Sequence, residues 1–238
     1  MRKIALSIVF SVAPVFAMAY AQGKPARVAW APSDTGSCVR CALTGHDLSG
    51  WNVSNGNYSG ANLSGANLYK FVAEDAQFSD VIAAGANFRK AILDGTNLTG
   101  SDLTGATLDR ATLIAANLSD ARLNTSRLHG TLLIGATLTG TKLVAIQATN
   151  ADFSGASLTG ADLSAANLSN AAFDNTIMTD VTFANADLTG AKIREARLIG
   201  VNFSGASGLQ SVDFQGSCMT DPINLSGTLD LPDCRSND

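Results

Sequence analysis

Charged residues make up only 15% of this 238-residue chain and aromatic residues only 6%. Any core must therefore be assembled from small and mid-sized aliphatic side chains. A hydrophobic content of 46% still supplies ample apolar surface, which excludes a wholly disordered chain. Histidine occurs twice, at His46 and His129, and neither stands at a recognisable triad spacing from Ser or Cys. The glycine loops that cradle phosphates, the nucleophile elbow and the paired-histidine zinc helix are all missing. These gaps point away from an enzyme and give no cofactor and no metal site. Positive charge is not in excess either: 16 Lys and Arg stand against 20 Asp and Glu, a net charge of −4. That balance argues against nonspecific nucleic-acid binding.

The N-terminus reads as a secretory leader over residues 1–21. Arg2 and Lys3 form a positive start, Ile4 to Met18 is apolar, and Ala19-Tyr20-Ala21 offers small residues where a signal peptidase cuts. Cleavage after Ala21 leaves 14 basic against 20 acidic residues, a net charge of −6. The residue directly after that cut is Gln22 and not cysteine, so no lipid anchor is expected, and no later apolar run is long enough to cross a bilayer. The expected location is periplasmic or secreted, with no stable membrane anchor once the leader is removed.

What the chain has in abundance is a period of five. From Cys41-Ala42-Leu43-Thr44-Gly45 to Val201-Asn202-Phe203-Ser204-Gly205 it divides into 33 units without an insertion. The third position is Leu in 20 units and Phe in six; Val53, Tyr58, Ala73, Ala83, Ala148, Met178 and Ile193 fill the others. The first position is Ala in 18, and neither position ever carries Asp, Glu, Lys or Arg. A period of five with two apolar positions fits neither a 3.6-residue helix nor an alternating strand.

Units such as Ala61-Asn62-Leu63-Ser64-Gly65 and Ala186-Asp187-Leu188-Thr189-Gly190 resemble the pentapeptide-repeat family. The resemblance implies an all-β fold, a right-handed quadrilateral parallel β-helix with four units per coil. Residues 41–205 would then make about eight coils, a rod on the order of 40 Å long at roughly 4.8 Å per coil. Each coil buries its ends against its neighbours, so the terminal coils need caps. Residues 22–40 are assigned to an N-terminal lead-in and cap. Beyond Gly205 the frame slips by one, with Leu209, Phe214 and Met219 keeping the spacing, and 206–238 is assigned to a C-terminal cap.

Four cysteines allow three full pairings. On the rod that the resemblance implies, Cys38 and Cys41 lie at one end and Cys218 and Cys234 at the other, too far apart to cross-pair. Local bonds Cys38–Cys41 and Cys218–Cys234 are therefore expected; redox chemistry or a metal site with His46 is the alternative for the first pair.

With four units per coil, residues 20 apart stack. One column then aligns Lys70, Lys90 and Arg110, with Arg89 and Arg127 beside it, as a candidate basic stripe for an acidic partner. Asp80, Asp120 and Asp180 form a weaker acidic column on the opposite side. A third face carries five outward aliphatics, Val72, Ile92, Ile114, Leu132 and Ile134, ringed by Glu74, Asp75, Asp94, Asp152 and Asp174. An apolar centre with a polar rim suits a protein interface. The functional expectation is an exported, non-catalytic scaffold acting through an unknown protein partner or self-association. The alternative is a DNA-mimicking protein like the family members that protect DNA gyrase, which the leader and the basic column oppose.

Overall fold

The computed structural model describes residues 38–223 and 231–237. The expected leader, and residues 22–37 of the expected lead-in, lie outside the described residues. The chain forms a right-handed quadrilateral parallel β-helix. Second-position residues make parallel bridges at intervals of 20, from Ala42↔Asn62 and Val72↔Ile92 to Asp187↔Ser207. Turns at the fourth and fifth positions separate these bridges, so each unit gives one flat strip and one corner.

The period follows from the hydrogen bonds. Asn62 N donates back to Cys41 O at 2.8 Å, Leu63 N forward to Ile82 O at 2.6 Å, and Gly65 N to Ala84 O at 2.9 Å. Ala66 N closes the turn on Leu63 O at 2.9 Å. The fourth N–H is left over, and a buried or half-buried amide needs an acceptor. Asn or Asp at the second position supplies it through a local turn: Ser64 N donates to Asn62 Oδ1 at 3.0 Å and Thr104 N to Asp102 Oδ1 at 3.0 Å. The recurring Asn and Asp of the second position are thus part of the corner itself.

Every fifth position from Gly45 to Gly205 has positive φ, whatever residue fills it. L-residues enter this left-handed region at a cost, least for Gly, Asn and Asp. The corner also selects in pairs. At Gly140, φ +68, an added Cβ would lie 2.5 Å from Asp120 Oδ1, the side chain of the coil below.

Inside, third-position side chains stack in register with the coils. Phe153 lies flat on Phe173 with centroids 4.8 Å apart, and Phe183 on Phe203 at 5.6 Å. Where the third position shrinks to Ala73, Ala83 or Ala148, the first position of the same unit grows to Phe71, Val81 or Ile146; all six are buried. The exchange keeps the core filled, as close packing requires. Most first-position hydroxyls are also provided for: Thr96, Ser101, Thr131 and Thr141 donate to third-position carbonyls of the coil below at 2.7–2.8 Å, whereas the buried Ser126 hydroxyl has no partner among the described residues. Tyr58, stacked on Phe78 at 5.0 Å, is an exception. Its hydroxyl has no partner among the described residues, and burial pushes its pKa up to about 12.

The parallel ladder continues past Gly205. Between Asp187↔Ser207 and Lys192↔Asp213 the interval grows from 20 to 21. The extra residue is absorbed by Gly208, φ +78, and a 3-10 turn over Leu209–Ser211. A Cβ on Gly208 would lie 2.5 Å from the backbone N of Thr189. Phe214 and Met219 then return to the core, while Leu209 stays half-buried. Three short parallel strands on one face stay in register across this extra residue, β1 (Ile177–Thr179) and β2 (Arg197–Ile199) before it and β3 (Cys218–Thr220) after it. Cys218 is bonded to Cys234, which is fully buried, and Met219 N donates to Pro232 O at 2.8 Å across the end of the stack. At the other end Cys38 is bonded to Cys41, with Cα atoms 5.4 Å apart.

A candidate protein-contact face

Val72, Ile92, Thr112, Leu132 and Asp152 occupy successive rungs of one ladder. Ile114 and Ile134 lie at the adjoining corner of the Thr112 and Leu132 coils. All five expected aliphatics therefore share one face. Ile92, Ile114 and Ile134 are exposed at 36–37%, whereas Val72 and Leu132 are half-buried. Parallel neighbours stand roughly 4.8 Å apart, so the patch covers four coils.

The acidic rim is less free than its position in the sequence implies. In several units whose second position is not Asn or Asp, the leftover fourth N–H turns to the fourth side chain of the coil below. Ile114 N donates to Asp94 Oδ1 at 2.9 Å, Arg194 N to Asp174 Oδ1 at 3.2 Å, and Glu74 N to Ser54 Oγ at 3.1 Å. Asp174 also holds the Arg194 guanidinium in a two-pronged ion pair, which lowers its pKa below the ordinary aspartate value. Asp152 accepts from Ser154 N at 2.9 Å. Glu74 and Asp75 remain exposed at the corner. Twenty-residue spacing between an acid and a unit lacking Asn or Asp would have revealed these bonds in the sequence.

The basic column needs one correction. Lys70, Lys90 and Arg110 do stack at successive fifth positions, with φ 56–58°, and no ion pair reaches them among the described residues. Lys70 Nζ lies 5.6 Å from the Tyr69 ring centroid, and Arg89 is exposed beside Lys90. Arg127, by contrast, is tied to the buried Asp109 at 3.0 Å, and the other oxygen of Asp109 accepts from His129 N at 3.2 Å. It is part of a corner bond and not of a free stripe. His46, placed by the period at an inward position, is half-buried in the structure, with Nδ1 3.1 Å from Thr44 O. Its unit is close to the end of the stack, where little chain lies over it among the described residues. No cluster of His, Cys, Asp and Glu able to hold a metal occurs among the described residues.

A family model described as pentapeptide repeat region matches residues 126–203. A second, pentapeptide repeats (8 copies), matches 57–95, 74–110, 91–130 and 108–143. Among solved structures the chain is similar to HetL, a pentapeptide repeat protein involved in heterocyst differentiation regulation in Nostoc sp. strain PCC 7120. The identity is 28% over 79% of this chain and 84% of that one, with a TM-score of 0.57. It also resembles a pentapeptide repeat protein of the Arabidopsis thaliana thylakoid lumen, 30% identical over 44% of this chain and 69% of that one, TM-score 0.27. QnrB1, a plasmid-mediated fluoroquinolone resistance protein, is 19% identical over 66% of this chain and 91% of that one, TM-score 0.40. No curated protein matches the chain.

Proposed function

Because the chain belongs to the pentapeptide-repeat family, we propose that it is an exported, non-catalytic scaffold that works through the Val72 face. The observation that carries this reading is the patch of Val72, Ile92, Ile114, Leu132 and Ile134, five aliphatics on one face over four successive coils. Single exposed aliphatics are common, but five on neighbouring rungs form a patch. HetL, a regulatory protein by its description, offers a precedent for a rod of this shape acting in regulation. The two disulfides support an oxidising compartment, in line with the leader. The gyrase-directed alternative asks for a DNA-like acidic surface, whereas the corner beside this patch carries Lys70, Lys90 and Arg110.

The test is light scattering coupled to size exclusion, and co-elution with extract of the exported compartment, on wild type and Ile114→Asp/Leu132→Asp. The double variant should lose association, with itself or with a partner, while melting close to wild type. Association that survives the double variant would sink the reading.

A further inference from the structure

The same face has two unlike edges. Each strip is bounded by the turn of the preceding unit and by its own turn. For the Val72 strip these are Tyr69-Lys70 and Glu74-Asp75; for the Ile92 strip, Arg89-Lys90 and Asp94-Gly95. One coil further they are Asp109-Arg110 and Ile114-Ala115, then His129-Gly130 and Ile134-Gly135. The face is therefore basic along one edge, aliphatic in the middle, and acidic then aliphatic along the other. Asp109 and Arg127 pair with each other, so the net sign of the first edge comes from Lys70, Arg89, Lys90 and Arg110.

A two-fold axis in the plane of contact can run along the rod or across it. An axis along the rod sets the basic edge of one copy against the acidic edge of the other at the same height. Lys70 and Lys90 then meet Glu74, Asp75 and Asp94 of the second copy, the central column of Val72, Ile92 and Leu132 meets itself, and Ile114 and Ile134 lie against the Arg110 and Gly130 corners. An axis across the rod that pairs Val72 with Leu132 sets Lys90 against Arg110, and buries the acids Glu74, Asp75 and Asp94 against Ile134 and Ile114 with no cation opposite. Charge thus discriminates between the two arrangements.

Resting on the reading of this face as a contact surface, we infer that its occupant is a second copy of this chain, docked side by side and parallel. Above Leu132 the central column becomes Asp152, which the same axis brings against its own copy, so the contact ends there. Four coils are a small area beside the roughly 800 Å² per partner of a standard interface. The dimer is accordingly weak, concentration-dependent and sensitive to salt.

The experiment is light scattering with size exclusion over a hundredfold range of concentration, on the full chain exported with its disulfides formed. Two charge-reversed variants are compared, Lys70→Glu/Lys90→Glu and Glu74→Lys/Asp75→Lys. The left-handed corner tolerates either sign, since Lys90 and Glu195 both occupy it, and melting curves verify the fold. Each variant alone should dimerise at least tenfold more weakly than wild type, and a one-to-one mixture should regain wild-type affinity. Single cysteines at Val72→Cys and at Leu132→Cys should each cross-link to themselves; in the antiparallel arrangement only a mixture of the two would. A wild type that stays monomeric throughout overturns the inference and leaves a foreign partner for the face. Dimers abolished by Ile114→Asp/Leu132→Asp but indifferent to both charge reversals overturn the parallel pairing and leave the contact face standing.

Discussion

Two neighbouring faces of the same coils solve one problem in different ways. On the Asn67 face, Asn67 and Asn87 accept from the N–H of Tyr69 and Arg89 at 3.3 and 3.2 Å. Their amides also chain together, Asn87 Nδ2 donating to Asn67 Oδ1 at 3.0 Å and Asn67 Nδ2 to Asp47 Oδ1 at 2.9 Å. Round the corner, Val72 and Ile92 hold the equivalent positions and can accept nothing. There the fourth N–H of the Val72 unit is served from the coil below, by Ser54 for Glu74, and that of the Thr112 unit likewise by Asp94 for Ile114. The backbone ladder is the same on both faces. The fold therefore leaves the outer second position open to either solution, and the Val72 face has exchanged a local acceptor for an apolar surface.

The largest break in this comparison comes from the core that both faces share. Leu118→Asp places a charge among fully buried aliphatics with no counter-charge inside, and should cost more than about 4 kcal/mol. Urea unfolding should show a lost or split transition. Phe71→Ala, directly behind the Val72 strip, should cost about 3–5 kcal/mol, because Ala73 in the same unit cannot fill the space. Adding Ala73→Phe should recover part of the loss in the same titration, since it returns volume to that unit.

Smaller effects separate the two faces. Asp94→Ala removes the acceptor of Ile114 N–H, and Asn87→Ala that of Arg89 N–H; each should cost about 1 kcal/mol by chemical denaturation. Asp174 is a pH-dependent version of the same device. The hydrogen bond from Arg194 is the chief cause of its lowered pKa, ahead of charge attraction and against some desolvation. Its contribution is complete above the unfolded value near 3.8 and is lost as pH falls through the lower folded value. Arg194 is partly exposed and screened by solvent, so Arg194→Ala should lower the melting temperature only slightly at neutral pH. The melting temperatures of variant and wild type should converge below pH 3.8. The smallest effect is expected from Ile92→Asn, which gives the Val72 strip the chemistry of its neighbour. Stability should change by less than about 0.5 kcal/mol, with the new amide accepting from Asp94 N–H. A large loss in that melt would mean that the aliphatic column serves the fold itself.

Much of this was readable along the chain because a buried position in a repeat declares itself by what never occurs there. The absence of charge from the first and third positions marked the interior, from Leu43 to Phe203. The 20-residue stacking implied by the family resemblance put Val72, Ile92 and Leu132 in one column. Other features resisted because their cause is a neighbour in another coil. Arg127 has no local sign of being paired; its partner is Asp109, 18 residues away and held at a corner. The extra residue near Gly208 reads as a lost frame, yet the ladder resumes at Asp213 because glycine and a short 3-10 turn can absorb it.

By itself, then, the sequence determined the period, the inside and the outside of this protein, since burial excludes charge at fixed intervals and hydrogen bonding places Asn and Asp before many of the corners. Only the tertiary structure decided which of the outer groups are already engaged. Asp94, Asp174 and Arg127 are bound to the next coil, while Lys70, Lys90 and the aliphatics of the Val72 face stand clear of such bonds. The reason is physical: those contacts run between residues about 20 apart, and their partners come within reach only when the coils stack.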